Sequence, residues 1–178
     1  MVNSYLEFNL FTEDECKLIL QNMNELQFVN FTVKLEDKFY PNGSSMQSQD
    51  LSYDESTKWI YDRFTNKVAE QLDVQWLNNP HGVFRNYKVG DYFVEHTDKV
   101  DKEGAEMRYF SATIQLSNPS EYSGGELIVD RKHTINKEIG SVTLWGTNLI
   151  HEVKTITKGS RNSLVFFAGE SHLKPNTK

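Results

Sequence analysis

The second half of the chain is a series of short strand-like segments separated by turn residues. From residue 74 onward, apolar or alternating segments end at turn signals such as Asn118-Pro119 and Gly124-Gly125. Many short strands with regular turn signals are typical of a β-sandwich or barrel, whereas helices need longer periodic segments. The strands predicted in this way cover residues 82–89, 92–97, 109–117, 125–130, 140–146, 150–157 and 161–169.

The first 73 residues instead favour helices. Thr12 and Glu15 form the hydroxyl-and-carboxylate pair of a capping box, which marks the start of a helix. A second helix is predicted from Asp54 to Leu72. Between the two, residues 28–35 alternate like a strand, and residues 36–50 are rich in turn residues and predict a loop. The apolar positions at helical spacing are Cys16, Ile19, Leu20, Met23 and Leu26 in the first helix, and Trp59, Ile60, Phe64, Val68 and Leu72 in the second.

These elements predict one domain that is mainly β with N-terminal helices. The 178 residues are enough for one full core. The architecture that fits best is a double-stranded β-helix (jelly roll) flanked by two helices. Residues 1–73 would form a helical support region, residues 74–170 the jelly-roll core, and residues 171–178 a polar tail.

Charge and composition exclude some classes of protein. The net charge of −6 argues against a broad phosphate-binding surface. The single cysteine, Cys16, cannot form an internal disulfide and suggests a reducing compartment. The N-terminal residues lack the basic and apolar regions of a signal peptide, and no apolar run reaches the roughly 18 residues that a membrane span needs. We therefore expect a cytoplasmic protein that does not associate with membranes.

His96, Asp98 and the distant His151 together match the ligand set of one metal ion. Residues two apart on a strand point to the same face, so the first two can reach one ion. His151 begins a second alternating segment, which supplies a ligand from elsewhere in the fold. Two imidazoles and one carboxylate form a non-haem Fe(II) site with open coordination positions. The remaining histidines, which lie in polar or turn-rich contexts and are predicted to be surface or core residues, are His81, His133 and His172.

Arg161 begins a segment whose two faces are both largely apolar, as in a buried central strand. A guanidinium group at the mouth of such a strand needs an anionic partner, because an unpaired buried charge is costly. If Arg161 pairs opposite Thr155, it shares a face with His151 at a distance of about 13 Å. A five-carbon dicarboxylate could then bind metal at one end and the guanidinium at the other. The alternative is an ion pair between Arg161 and a nearby Asp or Glu.

These residues carry a resemblance to a known family. The chain from about Asn79 to Gly169 resembles the 2-oxoglutarate- and Fe(II)-dependent dioxygenases of the prolyl-4-hydroxylase type, and bacterial PKHD-type hydroxylases in particular. The order and spacing of the matching segments are those of the family, which implies a double-stranded β-helix with the metal at one mouth. The matching segments are YKVG at 87–90 leading to HTD at 96–98, SATIQLSNP at 111–119, SGGEL at 123–127 and HEVKTITKGSR at 151–161.

The resemblance implies a role for individual residues of the site. The family's iron ligands, the basic residue that binds the distal carboxylate of 2-oxoglutarate, and two residues near that co-substrate each fall on one position of this chain. One of these two residues is Tyr87, for which packing in the core is an equally good interpretation. The implied iron ligands are His96, Asp98 and His151, and the implied co-substrate residues are Arg161, Tyr87 and Thr113.

The chain also departs from the family's pattern. Phe93 stands where the family has a tyrosine, three residues before the first ligand, so one pocket hydroxyl is missing. Gly124 and Gly125 are interpreted as turn residues rather than cofactor contacts. Trp145 and Leu127 are candidates for the pocket wall, with core packing as the alternative.

The resemblance implies a dioxygenase that uses Fe(II), 2-oxoglutarate and O2 to hydroxylate an unactivated C–H bond, with ascorbate as a candidate reductant. A prolyl 4-hydroxylase-like reaction on a protein or peptide is expected first, and a free amino acid or small metabolite is the alternative substrate. Nucleic-acid demethylases of the superfamily carry a second arginine where this chain has Phe167, which argues against nucleic acid.

Two interpretations compete with this one: a non-catalytic jelly roll that binds metal, and a cupin-like metalloenzyme that does not use 2-oxoglutarate. The loops at 36–50 and 99–107 are predicted to contact substrate. The sequence carries no signal for the oligomeric state.

Overall fold

A computed structural model describes residues 4–23, 29–31, 34–35, 38–39, 44–78, 80–99 and 108–175. Within these residues the chain forms two helices and a set of antiparallel strands, which confirms the predicted mainly-β class. The helices are α1 (Glu13–Met23) and α2 (Lys58–Gln71), and Glu170–His172 is a short 3-10 helix. The strands are β1 (Tyr5–Asn9), β2 (Val29–Phe31), β3 (Lys34–Leu35), β4 (Lys38–Phe39), β5 (Ser44–Leu51), β6 (Val74–Leu77), β7 (His81–Tyr87), β8 (Tyr92–His96), β9 (Arg108–Gln115), β10 (Ser123–Gly124), β11 (Leu127–Val129), β12 (His133–Thr134), β13 (Ser141–Gly146), β14 (His151–Val153), β15 (Ile156–Lys158), β16 (Arg161–Gly169) and β17 (Leu173–Pro175).

The main strands form two layers that share β5. The first layer has the order β1-β13-β9-β16-β7-β5, and the second has the order β5-β8-β14-β11-β12. The two ends of β5 pair with different strands, because Gln47–Leu51 pair with β7 whereas Ser44 and Ser45 pair with β8. An apolar cluster between the layers joins residues of both, including Tyr87 and Trp145 from the first and Val153 from the second. This is the arrangement of a jelly roll.

The two helices cover the outer face of the first layer. Cys16 and Ile19 of α1 and Phe64 of α2 are fully buried against the apolar side chains of that face. The rings of Phe64 and Phe166 stack at a centroid distance of 4.1 Å. Burial of each large apolar side chain contributes about 1.5–3 kcal/mol, so this contact fixes the helices on the sheet and leaves the inner face for the cavity.

The predicted helices are confirmed, with one boundary moved. α1 begins with the capping box: the backbone N–H of Thr12 donates to Glu15 Oε2 at 2.9 Å, and Glu15 N–H donates to Thr12 Oγ1 at 3.3 Å. α2 begins at Lys58 rather than Asp54. Asp54 instead accepts the backbone N–H of Ser56 at 2.8 Å, which closes a turn before the helix. The predicted position Leu26 lies outside the described residues.

The prediction of a loop over residues 36–50 is wrong for its second half. Ser44–Leu51 form β5, and short strands β3 and β4 pair with each other before it. The segment is polar, but Met46 and Ser48 alternate as buried residues. β7 and β8 pair with β5 and provide hydrogen-bond partners for its backbone groups. The segment can therefore form a strand without a strongly apolar sequence. The predicted strand at 28–35 corresponds to β2 and β3, and residues 32–33 lie outside the described part.

The division into a helical region, a jelly-roll core and a polar tail is also too simple. β1 and β5 both come from the first 73 residues and belong to the first layer. Leu173–Pro175 form β17, which pairs with β6, so these residues are not a loose tail. Sequence periodicity cannot foresee such pairings, because the partner strands are distant in the chain.

The predicted strand over 150–157 is divided in two. β14 and β15 are separated by Lys154 and Thr155, and they pair with different neighbours. Thr155 instead accepts the backbone N–H of Gly125. The other predicted strands of the second half have counterparts with shifted ends, and β16 has the predicted bounds.

No helix among the described residues has both the length and the apolar composition that crossing a bilayer requires.

Candidate metal and co-substrate site

Three candidate ligands meet at one place in the cavity between the layers. His96 of β8 and His151 of β14 are direct partners across adjacent strands, and their ring centroids are 4.2 Å apart. Asp98 Oδ1 lies 3.5 Å from His96 Nε2, and Asp98 Oδ2 lies 3.3 Å from His151 Nε2. One ligand atom from each residue lies within 4.8 Å of the others. A single ion can therefore contact all three side chains.

Asp98 reaches this place from outside the strand. β8 ends at His96, so the strand alternation that we used to predict a shared face does not extend to Asp98. Instead, the backbone N–H of Asp98 donates to the carbonyl oxygen of Thr147 at 3.1 Å. The hydroxyl of Ser111 donates to Asp98 Oδ2 at 2.6 Å. These two hydrogen bonds hold the backbone and the carboxylate in position.

Each imidazole is oriented by a hydrogen bond at its Nδ1 atom. Nδ1 of His96 lies 2.8 Å from the carbonyl oxygen of Val94, and Nδ1 of His151 lies 3.1 Å from that of Leu149. Because a carbonyl oxygen only accepts, the hydrogen is on Nδ1 in both rings. Nε2 of each ring is then directed at the cluster, where its lone pair is available to a metal.

The charge of the cluster suits a divalent cation. Burial raises the pKa of Asp98, but the adjacent His151 and His96 outweigh it and hold that pKa well below its ordinary value. The carboxylate is therefore ionised although its side chain is only 10% exposed. A divalent cation placed between the two Nε2 atoms and the carboxylate would be held by all three groups. The donor set fits Fe(II), which accepts two imidazoles and one carboxylate and keeps open positions.

Arg161 enters the cavity from the layer opposite His151. β16 pairs with β7 and β9, so Arg161 lies across from Tyr87. The predicted pairing with Thr155 is therefore wrong, because Thr155 lies between β14 and β15 and accepts the backbone N–H of Gly125 instead. A local hairpin was the simplest assumption for two strands joined by a short turn, but the chain crosses from one layer to the other instead.

The surroundings of Arg161 leave its positive charge available to a ligand. The side chain is buried, with the residue 2% exposed, and its Nε donates to Gln115 Oε1 at 3.1 Å. Its Cζ lies 5.5 Å from the centre of the Tyr87 ring. Among the described residues, no carboxylate lies within ion-pair distance of Arg161, which argues against the alternative of an internal ion pair. A buried guanidinium with a neutral partner is suited to an anionic ligand.

The cavity brings together the predicted metal ligands, the predicted co-substrate residues and the two candidate wall residues. Tyr87 and Thr113 are both buried, and burial raises the pKa of Tyr87 although the charge of Arg161 opposes this. The ring of Phe93 stacks on His96 at a centroid distance of 3.8 Å, where the family has a tyrosine. The predicted residues that line the cavity are His96, Asp98, His151, Arg161, Tyr87 and Thr113, together with Leu127 and Trp145.

Trp145 lines this cavity and carries a hydrogen-bond donor without a partner among the described residues. Its ring centroid lies 4.9 Å from that of His151, and its Nε1 is buried without a hydrogen-bond partner among the described residues. A buried N–H without a partner costs about 1–3 kcal/mol.

Gly124 and Gly125 shape the wall beside Arg161. Both have positive φ, of 77° and 65°, a backbone conformation that glycine adopts without strain, and Gly124 lies in β10. A Cβ atom at Gly125 would lie 2.4 Å from Cδ1 of Ile156 and 3.2 Å from Cδ of Arg161. Glycine is therefore needed here for the close approach as well as for the positive φ.

Three residues of the site were missed from the sequence. Ser111 and Gln115 contact Asp98 and Arg161, and Arg85 lines the cavity two residues before Tyr87. A signal for the first two was present, since polar residues alternate with apolar ones in a strand that is buried on both faces. Polar side chains in such a strand need partners or a ligand.

The three other histidines lie outside the cluster, as predicted. His81 is exposed and lies 3.2 Å from Asp50 Oδ1, and His133 is exposed beside Tyr5. His172 accepts the backbone N–H of Gly169 at 3.0 Å. These contacts are structural.

Comparison with known proteins places the chain in a family. The model of the 2OG-Fe(II) oxygenase superfamily matches residues 82–169, which include all six predicted ligand and co-substrate residues. A PKHD-type hydroxylase of Gluconobacter oxydans is 33% identical over 104 residues, which are 54% of this chain and 45% of the relative. A second, of Acinetobacter baylyi, is 27% identical over 183 aligned positions that cover 96% of this chain and 79% of the relative. The chain thus spans about half the length of the first of these relatives.

Solved structures show the same fold. A Pseudomonas putida prolyl-4-hydroxylase has a TM-score of 0.71 at 14% identity, covering 98% of this chain and 94% of its own. The viral collagen prolyl hydroxylase of Paramecium bursaria Chlorella virus-1, solved with 2-oxoglutarate, has a TM-score of 0.69 at 16% identity and covers 92% of this chain and 94% of its own. The superfamily match and the PKHD-type relatives therefore place residues 82–169 of the chain in the 2OG-Fe(II) oxygenase superfamily, and the solved structures show the same fold.

Proposed function

We propose that this chain is an Fe(II)- and 2-oxoglutarate-dependent dioxygenase that hydroxylates an unactivated C–H bond. The observation that carries the proposal is the convergence of His96, Asp98 and His151 in a cavity that also contains the buried Arg161. A set of three metal ligands alone is compatible with many reactions. The guanidinium with a neutral partner adds the requirement for an anionic co-substrate, and membership of the superfamily implies Fe(II), 2-oxoglutarate and O2.

In this proposal His96, Asp98 and His151 hold the iron, and the layer of Arg161 holds the co-substrate. Bound iron supplies the oxidation of 2-oxoglutarate and of the substrate C–H bond by O2. The backbone hydrogen bonds at Val94 and Leu149 keep both Nε2 atoms directed at the ion. Ser111 keeps the Asp98 carboxylate from rotating away, because its hydroxyl donates to Oδ2.

Arg161 binds the distal carboxylate of 2-oxoglutarate with a bidentate fork. Gln115 orients the guanidinium group by accepting a hydrogen bond from Arg161 Nε. Both terminal nitrogens of Arg161 are then left for the ligand. Tyr87 and Thr113 stand beside it in the cavity wall. Arg161 and His151 come from opposite layers and both line the cavity, so a bound co-substrate would be contacted from both layers.

Apolar side chains exclude water from the reacting end of the cavity. Phe93 covers one face of His96, and Trp145 lies against His151. Leu127 and Val153 complete this part of the wall. A dry site limits unproductive reaction with water during turnover.

The names of the relatives support a prolyl 4-hydroxylase-like reaction on a protein or peptide. One neighbour of the same fold, from Trichoplax adhaerens, is described as a prolyl hydroxylase in complex with a hypoxia inducible factor peptide fragment. The alternative substrate class is a free amino acid or small metabolite. Ascorbate as reductant and a cytoplasmic location stay predictions.

Succinate production tests the proposal. Purified protein is incubated with Fe(II), 2-oxoglutarate and ascorbate in air, with and without candidate peptides and amino acids, and succinate is quantified. We expect metal-dependent succinate in the wild type and none in His96→Ala. His133→Ala, an exposed histidine outside the cavity, is the matched control and should behave like the wild type.

The same assay separates the competing interpretations. A non-catalytic metal-binding module would bind Fe(II) without producing succinate under any condition. A cupin-like enzyme would modify a substrate without consuming 2-oxoglutarate. Mass spectrometry of the reaction mixture, with a search for products heavier by one oxygen atom, identifies the hydroxylated compound.

A further inference from the structure

Lys137 holds the backbone segment that lies beside Arg161. It is located between β12 and β13, and its Nζ donates to the carbonyl oxygen of Gly124 at 2.7 Å and to Glu126 Oε1 at 2.7 Å. The same ammonium group lies 5.0 Å from the centre of the Tyr122 ring. A side chain from a separate part of the chain therefore ties down the residues on either side of Gly125.

These contacts hold one peptide group at both of its polar atoms. The carbonyl oxygen of Gly124 and the N–H of Gly125 belong to the same peptide. Lys137 donates to the oxygen, and the carbonyl oxygen of Thr155 accepts the N–H at 3.3 Å. Both glycines have positive φ, and glycine has the widest choice of backbone conformations. A peptide between two glycines needs such hydrogen bonds to keep a single orientation.

This peptide lies directly against the side chain of Arg161. A Cβ atom at Gly125 would be 3.2 Å from Arg161 Cδ and 2.4 Å from Ile156 Cδ1. The guanidinium group also has Gln115 as the acceptor at its Nε and the Tyr87 ring 5.5 Å from its Cζ. Because no side chain at Gly125 separates the backbone from the arginine, the orientation of the peptide directly affects the position of Arg161.

Lys137 is charged where it makes these contacts. The pKa of Glu126 is lowered chiefly by the hydrogen bond from Lys137, so its carboxylate is ionised at pH 7 and pairs with the ammonium group. The two side chains are 25% and 36% exposed, so the ion pair alone contributes little to stability. The charge-assisted hydrogen bond to the carbonyl oxygen of Gly124 is the contact that restrains the peptide.

We propose that Lys137 is a positioning residue for the co-substrate, because it holds the peptide between Gly124 and Gly125 against Arg161 and so keeps the guanidinium group in one orientation. The inference rests on the proposed function, which assigns Arg161 to 2-oxoglutarate. A binding group that already has its bound conformation loses less conformational entropy when the ligand arrives. Lys137 therefore raises the affinity for 2-oxoglutarate through Arg161.

Calorimetry with variants of Lys137 tests this role. The protein is loaded with Mn(II) in place of iron, so that no turnover occurs, and is titrated with 2-oxoglutarate. Lys137→Met removes the ammonium group but keeps most of the stem. It should weaken 2-oxoglutarate about five- to tenfold, since Gln115 and Tyr87 still contact Arg161. Lys137→Arg restores a charged donor and should recover the affinity to within about twofold of the wild type.

Further variants separate a positioning role from a general loss of structure. The Mn(II) affinity of Lys137→Met should stay within about twofold of the wild type. In an Arg161→Lys background, which cannot form the fork, Lys137→Met should change the affinity for 2-oxoglutarate by less than about twofold. Glu126→Gln removes the ion pair but keeps the bond to Gly124, and Lys67→Met removes a lysine on α2. Both of these should bind 2-oxoglutarate like the wild type.

Hydrogen exchange of the Gly125 amide measures the restraint on the peptide itself. The experiment uses NMR with Zn(II) as a diamagnetic ion. In Lys137→Met this amide should exchange at least about tenfold faster than in the wild type, because its bond to Thr155 opens more often. Coupling between two sites is reciprocal, so saturating 2-oxoglutarate should slow the same exchange in the wild type. The second measurement needs no variant and decides the matter if Lys137→Met does not fold.

Several results would overturn the inference. Full affinity for 2-oxoglutarate in Lys137→Met, or an equal loss of Mn(II), would exclude a positioning role. A loss of the same size in the Arg161→Lys background would show that Lys137 does not act through the fork, and an equal loss in Glu126→Gln would assign the effect to the ion pair. Exchange of the Gly125 amide that does not respond to 2-oxoglutarate would also contradict it.

Failure of this inference and failure of the proposed function give different results. If the wild type does not bind 2-oxoglutarate in the presence of metal, the proposed function fails. If the wild type binds 2-oxoglutarate and Lys137→Met binds it equally well, only the role of Lys137 is wrong.

Discussion

Replacing Arg161 by glutamine should weaken the binding of 2-oxoglutarate by about two to three orders of magnitude and leave metal binding almost unchanged. The side chain is buried, and its one described hydrogen bond goes to the neutral Gln115. The proposed fork would donate two hydrogen bonds to a carboxylate, each worth about 1.5–3 kcal/mol when a charged group takes part. A glutamine side chain could replace one of them by a neutral bond of about 1 kcal/mol.

The expected loss is therefore about 2–5 kcal/mol, and its midpoint of about 3.5 kcal/mol corresponds to roughly two to three orders of magnitude in the dissociation constant. Arg161→Lys keeps the charge but cannot form the fork, so a loss of about tenfold is expected. The metal affinity should change little, because Arg161 contacts Gln115 and the Tyr87 ring rather than any of the three candidate ligands.

Calorimetry of 2-oxoglutarate binding to the Mn(II)-loaded protein measures this loss, and a separate titration with Mn(II) measures the metal affinity. The control for removal of an arginine is Arg63→Gln, because Arg63 lies on α2 and does not line the cavity. If Arg161→Gln bound 2-oxoglutarate within threefold of the wild type, the co-substrate would be held elsewhere. If it lost Mn(II) to the same extent, Arg161 would be part of the metal site or of its folding. Either result refutes the reasoning.

Four other substitutions probe the site and its support. Asp98→Asn removes the only charged ligand and should weaken Mn(II) binding at least 100-fold, which a metal titration would show. Ser111→Ala removes the hydrogen bond to that carboxylate and should weaken the metal about tenfold; an unchanged affinity would mean that Thr147 alone fixes the ligand. Gly125→Ala introduces a Cβ at positive φ and close to Cδ1 of Ile156, so urea denaturation should show a loss of about 1–3 kcal/mol in the free energy of unfolding. The pKa of Glu15 is lowered by its partner Arg63 and by the hydrogen bonds of the α1 cap. Its carboxylate therefore stabilises the fold at pH values above the ordinary pKa of 4.5. This contribution is lost as the pH falls through the lowered pKa of the folded state. Glu15→Gln should therefore cost about 0.5–1 kcal/mol at pH 7, and the difference from the wild type should shrink in denaturation curves measured below pH 4.5; a constant difference would contradict this sign.

Residues from both layers of the jelly roll form the proposed site. The histidines come from β8 and β14 in the second layer, and Arg161 comes from β16 in the first. A ligand that spans the cavity contacts both layers at once. Binding of the co-substrate should therefore stabilise the contact between the layers as well as orient the reacting atoms.

Much of this organisation could be predicted from the sequence. The apolar periodicity identified both helices and their buried faces, because helical spacing brings those residues onto one side. The bounds of β16 were predicted because a continuous apolar segment between turn residues has few alternative structures. The three candidate ligands and Arg161 were identified from residue type, spacing and family resemblance, and the structure brings them into one cavity.

The errors came from contacts between distant parts of the chain. β5 is polar, and only its position between β7 and β8 makes it a strand. Arg161 was expected to pair with the neighbouring strand of the sequence, whereas it lies opposite Tyr87. Arg85 was overlooked because a single arginine in a strand-like segment gives no sign of which face it occupies until the register is known.

The most direct test of the central claim is an anaerobic titration of the Fe(II)-loaded protein with 2-oxoglutarate, followed by visible absorption. Chelation of the iron by the keto acid produces a metal-to-ligand charge-transfer band. We predict that this band appears in the wild type, saturates at a stoichiometric amount of 2-oxoglutarate and is absent in Asp98→Asn. Iron that is bound by the protein but gives no band at saturating 2-oxoglutarate would contradict the account.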